Sequence, residues 1–481
     1  MWHKPSYGTD KKSENISRWG LSLEAIAGLG ERLAAFHARY RESMRTQTRD
    51  TSEYGLHYLS GLLRMESQRN MANIGRTGGI AEQNLQQFMS DSPWSAACVI
   101  GAVQDEICQR AEYQTGSVLI MDESADAKAG ETTIGVGRQH NGRLGKVDVC
   151  QVGVFLALTN NGYQTWIDGE LFVPEHWFSE AYAAKRQRLG LPAERRFVTK
   201  LELAVKMVQR AQARGIPFEA VDCDTLYGRK GWLRDQLMQL GVEYYADVPQ
   251  TTRVYLERPL VDFRPTKRGK PAKQPRITGI AYLVNELAAH AQTDWHTIVL
   301  RPSERGLLQA DFARRRIWTV DSDGRLRQEW LLLRRDRQQI TYSLSNAPTT
   351  TSLLTMAQRK SQRFFIERAN QEAKSDLGWD EFQAIKYRAW QHHLALTILA
   401  SWFITETKLD WAQQFARDPH LLESYEVEVL PALSIANVRT LLRAAMPLPQ
   451  LSPQEAAALV VHHLHNRTRS RRSRLRAALS P

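Results

Sequence analysis

Residues 117–122, SVLIMD, are a short apolar run closed by an acid, and their reading as a strand decides the fold. Downstream, TTIGVGRQH (132–140) and VCQVGVFLAL (149–158) read as further strands, with Gly142 and Gly145 in the turn between them. YQTWIDGELFV (163–173) adds another. Leu201, Ala204, Val205, Val208 and Ala211 then mark an amphipathic helix, and Gly215 closes it as glycine does just past a helix end. FEAVDCD (218–224) is a second strand ending on an acid. Residues 231–240 read as a helix and VEYYADV (242–248) as a strand. Several strands followed by alternating strand and helix predict an α/β chain built on a mixed sheet.

The 481 residues allow two or three domains with real cores. Hydrophobic content of 42% and charged content of 24% are globular values. The formal charge of +12 favours a polyanionic partner, through attraction to phosphate and release of counterions. Charge alone does not separate DNA from RNA or from an acidic membrane surface. The four cysteines form no CxxC pair, so buried free thiols in a reducing compartment are expected. No apolar run reaches membrane-spanning length, and the first residues lack the apolar core of a signal peptide. A cytoplasmic protein with no membrane partner is expected.

From Leu21 to about Arg110 the pattern is helical. A break at Thr77-Gly78-Gly79 precedes the helix IAEQNLQQFMS (80–90), which is compatible with a helix-turn-helix and with any helical bundle. Arg264 to Arg276 carries six basic residues among prolines and reads as an exposed loop. Residues 278–344 are strand-rich, with a hairpin turn at Asp321-Ser322-Asp323-Gly324. Helices resume near Ser352 and include YRAWQHHLALTILASWFI (387–404). His392 and His393 there point about 100° apart on a helix, so shared metal ligation is not expected; one reads as core and one as exposed. The last helix ends in NRTRSRRSRLR (466–476), six arginines in eleven residues, a candidate nonspecific phosphate-binding arm.

Three acids stand out. Asp122 and Asp224 close apolar strands, and Glu367 lies in RFFIERANQEAK (363–374), where Arg363, Glu367 and Lys374 at offsets of four and seven share a helix face. A solvated helix with ion pairs has the same pattern. Yet acids from strand ends and a packed helix are the set that two magnesium ions need for phosphodiester chemistry. Glu123 and Asp222 are neighbouring alternatives within their clusters, and Asp222 reads as the buried one.

In these blocks the chain resembles the DDE transposases of bacterial insertion sequences, in the branches named insertion-sequence four and insertion-sequence seven-hundred-one. The resemblance rests on Asp122-Glu123-Ser124, Lys128 and Gly130, Gly135-Val136, Arg138-Gln139, Gly142 with Gly145-Lys146, and Cys150 to Val154. It also rests on Asp224 in DTLYG and on Arg363, Glu367 and Lys374 as an R-x3-E-x6-K pattern, and it covers about Tyr58 to Ile404. Lys360 departs from it, since the family has a tyrosine three residues before the arginine. The resemblance implies an RNase H-like mixed sheet interrupted by a β-rich insertion. It implies a helical DNA-binding region over 1–110, the catalytic core over 111–250 and 349–408, the insertion over 251–348, and a helical, basic C-terminal region over 409–481.

It further implies Asp122, Asp224 and Glu367 as catalytic metal ligands for two Mg2+, with Mn2+ able to substitute. Arg363, Lys374, Arg138 and Lys146 are the implied DNA contacts. An aromatic of the insertion would hold a flipped base, with Trp295, Trp318 and Trp330 as candidates. The implied activity is cut-and-paste transposition: binding of element ends in double-stranded DNA, cleavage, and joining of 3′-OH ends to target DNA by a homodimer on paired ends at the bacterial nucleoid. A nuclease without strand transfer and an inactive, transposase-derived DNA-binding protein are the alternatives.

Overall fold

The computed structural model describes residues 21–142, 144–160, 162–263, 275–303, 306–337, 339–415, 434–449 and 452–479. The strands are β1 (Val118–Ala127), β2 (Gly137–Asn141), β3 (Lys146–Asn160), β4 (Tyr163–Phe172), β5 (Ala220–Cys223), β6 (Tyr244–Asp247) and β7 (Arg253–Tyr255). They continue as β8 (Leu260–Asp262), β9 (Arg276–Thr278), β10 (Ala281–Leu283), β11 (His296–Ser303), β12 (Gly306–Val320), β13 (Leu326–Asp336) and β14 (Gln339–Ser345). All but β8 and β9 join one 12-stranded sheet. At its centre β1 lies parallel to β5 and β5 parallel to β6, while β3 runs antiparallel to β1 and pairs on with β2 and β4.

SVLIMD does not stop at its acid, because β1 continues to Ala127. The reason is asymmetric pairing. The parallel neighbour β5 leaves after Met121, whereas the antiparallel ladder to β3 runs on to Ala127 opposite Cys150. Asp122 therefore stands at the first position where one side of β1 has lost its neighbour. TTIGVGRQH is a strand only from Gly137, and the residues before it form a turn.

The strand-rich segment does not stand apart from this sheet. β14 pairs antiparallel with β6, Ser343 opposite Asp247, so β12, β13 and β14 extend the same ladder. Gly324, with φ +80, closes the hairpin at the expected Asp321–Gly324 turn. Residues 264–274 of the basic, proline-rich loop lie outside the described residues.

The long helix Tyr387–Gln414 is apolar almost all round, and such helices are buried. It is wrapped by N-terminal helices, including Ser52–Arg64 and Ala96–Cys108, and by β4. The N-terminal helices, this helix and the central strands share one core cluster, whereas much of the strand-rich segment packs in a cluster of its own. Both His392 and His393 are buried, correcting the expectation that one is exposed. His392 faces the Met89 and Trp94 carbonyls, and His393 is stacked against Trp379 and Phe382. Burial lowers their pKa values to about 4 and about 3, so both are neutral core residues. No helix among the described residues is long and apolar enough to cross a membrane.

The helix Glu82–Ser90 buries Leu85, Phe88 and Met89 and exposes Glu82, Gln83, Asn84, Gln86 and Gln87. That outer face carries no basic side chain, which is a poor match to a helix that enters a groove between phosphates.

Candidate active site

Alternation along β1 separates Asp122 from Glu123. Glu123 pairs with Lys200 at 2.7 Å, and Asp122 accepts a hydrogen bond from Asn370 Nδ2 at 2.9 Å. The second oxygen of Asp122 accepts from the Glu123 amide at 2.8 Å. Asp224 follows the last residue of β5 and caps the short helix Thr225–Gly228. Its Oδ1 accepts from both the Leu226 and Tyr227 amides, at 2.9 and 3.3 Å. Parallel pairing of Met121 with Cys223 makes the two aspartates neighbours, one residue beyond the last paired position. Burial, and then the charge of Asp224, push the Asp122 pKa up to about 7. Burial raises Asp224 as well. Two carboxylates sharing a site disfavour each other's charge, and a cation between them relieves that cost.

Glu367 arrives from the helix Phe364–Ser375, which is tied down at three points. Before it, Arg363 Nε lies 3.2 Å from Asp247 at the end of β6. After it, Asn370 reaches Asp122, and Lys374 Nζ donates to the Ala125 carbonyl at 2.9 Å. The helix thus crosses from β6 to β1, and Glu367 lies between those anchors, one turn from Asn370. Its carboxylate is 58% exposed and is held by Arg363 at 3.1 Å. Among the described residues, no three His, Cys, Asp or Glu side chains stand together as a metal-holding group. The structure brings Asp122 and Asp224 together; Glu367, on the helix that Asn370 ties to Asp122, is paired with Arg363 and does not join them in one metal-holding group.

Arg363 belongs to an ion network absent from the sequence reading. Lys360, 5% exposed, lies 2.7 Å from Asp222 and 2.8 Å from Asp247. Burial opposes the Lys360 charge, but Asp222 and Asp247 outweigh it and raise its pKa. Arg363 behaves likewise: burial works against its charge, and Asp247, Asp222, Glu367 and Asp224 overcome it. Ser343 on β14 donates to Asp247 at 2.6 Å. Lys360 is thus an internal cation facing two carboxylates. Asp222 is fully buried, as expected of it.

Arg138 and Lys146 lie elsewhere. On β3, Phe155 pairs with Asp122, Val149 with Arg138, and Lys146 with Asn141. At ~3.3 Å per residue, Arg138 is up to roughly 20 Å and Lys146 up to roughly 30 Å from the aspartates. Lys146 is 4.0 Å from Asp148. The three tryptophans of the strand-rich segment are half-buried, each with a guanidinium over its ring: Arg335 on Trp295, Arg258 on Trp318, and Arg314 and Arg316 on Trp330.

Two residues that matter were readable but missed. Asn370 is three positions from Glu367, a spacing that puts both on one flank of the helix. Asp247 ends a strand parallel to β5, the same signal that marked Asp224.

The family described as DDE superfamily endonuclease matches residues 39–306. The chain belongs to that family. Its mixed sheet is the RNase H-like sheet of the superfamily. The matched span holds Asp122 and Asp224 and ends before the helix of Glu367. A curated relative, the probable transposase for insertion sequence element IS701 of Microchaete diplosiphon, is 29% identical over 170 residues. That match covers 34% of this chain and 40% of the relative, so the chain matches about two fifths of the relative's length. An insertion-sequence transposase of the DDE type is thus what the DDE endonuclease resembles.

Proposed function

We propose that this DDE endonuclease is a DNA transposase that cleaves phosphodiester bonds at the ends of its element and joins the freed 3′-OH ends to target DNA. The observation that carries the reading is the Asp122–Asp224 pair at the exit of parallel strands, with Asn370 docking the Glu367 helix against it.

The donor set fits divalent cations. Asp122 and Asp224 are hard oxygen donors that repel each other, and both backbone bonds of Asp224 go to Oδ1, leaving Oδ2 to face a cation. Asp122, Asp224 and Glu367 would hold two Mg2+, or Mn2+, which would supply an activated nucleophile and charge neutralisation for in-line displacement at phosphorus. The chain's residues prepare this. Asn370 fixes the rotamer of Asp122. The Leu226 and Tyr227 amides fix that of Asp224. Glu367 exchanges Arg363 for the shared site, and the freed Arg363 turns to a nonbridging phosphate oxygen, where its planar fork suits two oxygens. Lys374, anchored on β1, adds positive charge beyond Asp122. The Lys360–Asp222–Asp247 network holds the base of Arg363 during that exchange. Double-stranded DNA is the substrate, and a homodimer pairing two ends is the acting form.

Two assays test this. A duplex bearing the element's own terminus is incubated with Mg2+ and the wild type or Glu367→Gln. Cleavage by the wild type alone is expected; retained cleavage by the variant removes Glu367 from the ligand set. Pre-cut ends with a plasmid target then test joining. Cleavage without joining would make the protein a nuclease only.

A further inference from the structure

The outer flank of the Glu367 helix carries a second feature. Phe364 is 50% exposed, one turn before Glu367 and one turn before Arg368. Arg301 of β11 lies over it, 5.4 Å from the Phe364 ring centroid and 4.8 Å from that of the buried Phe365. The charged groups acting on Arg301 are cations. Arg368 and Arg334 both act to lower its pKa, after burial, which is the larger cause. Arg368 is paired with Glu372 at 3.0 Å and Arg334 with Asp336 at 3.2 Å. Among the described residues Arg301 has no carboxylate partner, and its buried Nε has no hydrogen-bond acceptor. The two rings favour the guanidinium, but half-burial against two other cations is costly unless an anion completes the set.

We infer that Phe364 and Arg301 form a binding site for one nucleotide of a DNA strand beside the carboxylate site, the base stacking on Phe364 and the phosphate bound by Arg301 with Arg368 and Arg334. The charge selects a polyanion, and the exposed ring selects one that carries flat bases. Residues one helical turn apart stand ~5–6 Å from each other, and successive phosphates of a strand advance ~3.4 Å along the duplex axis. A nucleotide on Phe364 is thus one or two steps from a phosphate at Glu367. The tryptophans of the strand-rich segment are more buried than Phe364, so less of each ring is open to a base. The inference rests on the reading of the carboxylate site as phosphodiester-cleaving, but its test needs no cleavage.

Binding is measured by fluorescence anisotropy in EDTA, with a labelled 20-mer oligo(dT) and an abasic 20-mer of equal charge, across a salt series. The wild type is expected to prefer oligo(dT) about tenfold, the scale of one base–aromatic stack. Phe364→Ala and Phe364→Leu, the second keeping the apolar bulk, should both lose that preference. Arg301→Gln should weaken both ligands and reduce the slope of log K against log salt by ~0.7 for one lost single-strand contact. Thermal melts of each variant check the fold. An unchanged preference in folded Phe364→Leu, or an unchanged salt slope in folded Arg301→Gln, overturns the site. Failure of cleavage in the earlier assays with these binding differences intact would instead overturn the transposase reading alone.

Discussion

The sheet-borne acids and the helix-borne acid are built differently. Asp122 and Asp224 are half-buried and fixed by backbone amides and Asn370, at a cost visible in the raised pKa of Asp122. Glu367 is more than half exposed and neutralised by an arginine whose other contact is Asp247. Strand register places the first two to within a residue. The third depends on how a helix docks on β1, β3 and β4, with its first turn tied to β6 through Arg363 and Asp247. The comparison teaches that the aspartate pair is held in place at an electrostatic cost, whereas the glutamate is held by an ion pair at an exposed position.

The largest effect should come from removing an acid of the aspartate pair. Asp122→Asn or Asp224→Asn should lower Mg2+-dependent cleavage by roughly three decades or more, about 4 kcal/mol of barrier. Asp122→Asn should at the same time raise the melting temperature without metal, because a carboxylate that resists ionising is gone. A lowered melting temperature would contradict that cost.

Stability should separate the network from the glutamate. Lys360→Met leaves the buried Asp222 without its ion-pair partner, and Asp247 with Arg363 alone, and should cost ~3–5 kcal/mol in urea unfolding. Glu367→Gln, at an exposed position, should cost no more than ~0.5 kcal/mol. Equal costs would erase the distinction.

The third test is pH. Asp122 has a folded pKa of about 7, above its usual carboxylate value. Between the two values the folded state holds the proton and the unfolded state does not, so the metal-free protein loses stability as pH rises from ~4 towards ~7. A cation must displace that proton. Mg2+ affinity, read by calorimetry, should therefore rise about tenfold from pH 6 to pH 8, and a flat profile would show that Asp122 is already ionised. The smallest effect expected is from Arg363→Gln, which frees Glu367. Without DNA it should tighten Mn2+ binding a few-fold while lowering cleavage; weaker Mn2+ binding would mean that Arg363 positions Glu367 rather than withholding it.

Much of this was legible in the chain. The apolar runs before Asp122 and Asp224 gave the strands, because a fully buried strand needs only local composition to be read. The Asp321–Gly324 turn was readable because its glycine must take a positive φ. What escaped depended on distant pairings. Nothing in SVLIMD says that β3 carries the strand five residues past its acid. Lys360 read as a departure from a family pattern because its partners, Asp222 and Asp247, are more than a hundred residues away. Arg138 and Lys146 belong to the same sequence block as Asp122, and only the length of β3 shows how far the hairpin carries them.

The central claim is that Glu367 shares its ions with Asp122 and Asp224. Fe2+ loaded in place of Mg2+, then treated with ascorbate and peroxide, cuts the backbone near the bound metal, and mass spectrometry locates the cuts. The account predicts cuts near residues 122, 224 and 367, all suppressed by excess Mg2+. Cuts near 122 and 224 with none around 367 would contradict it.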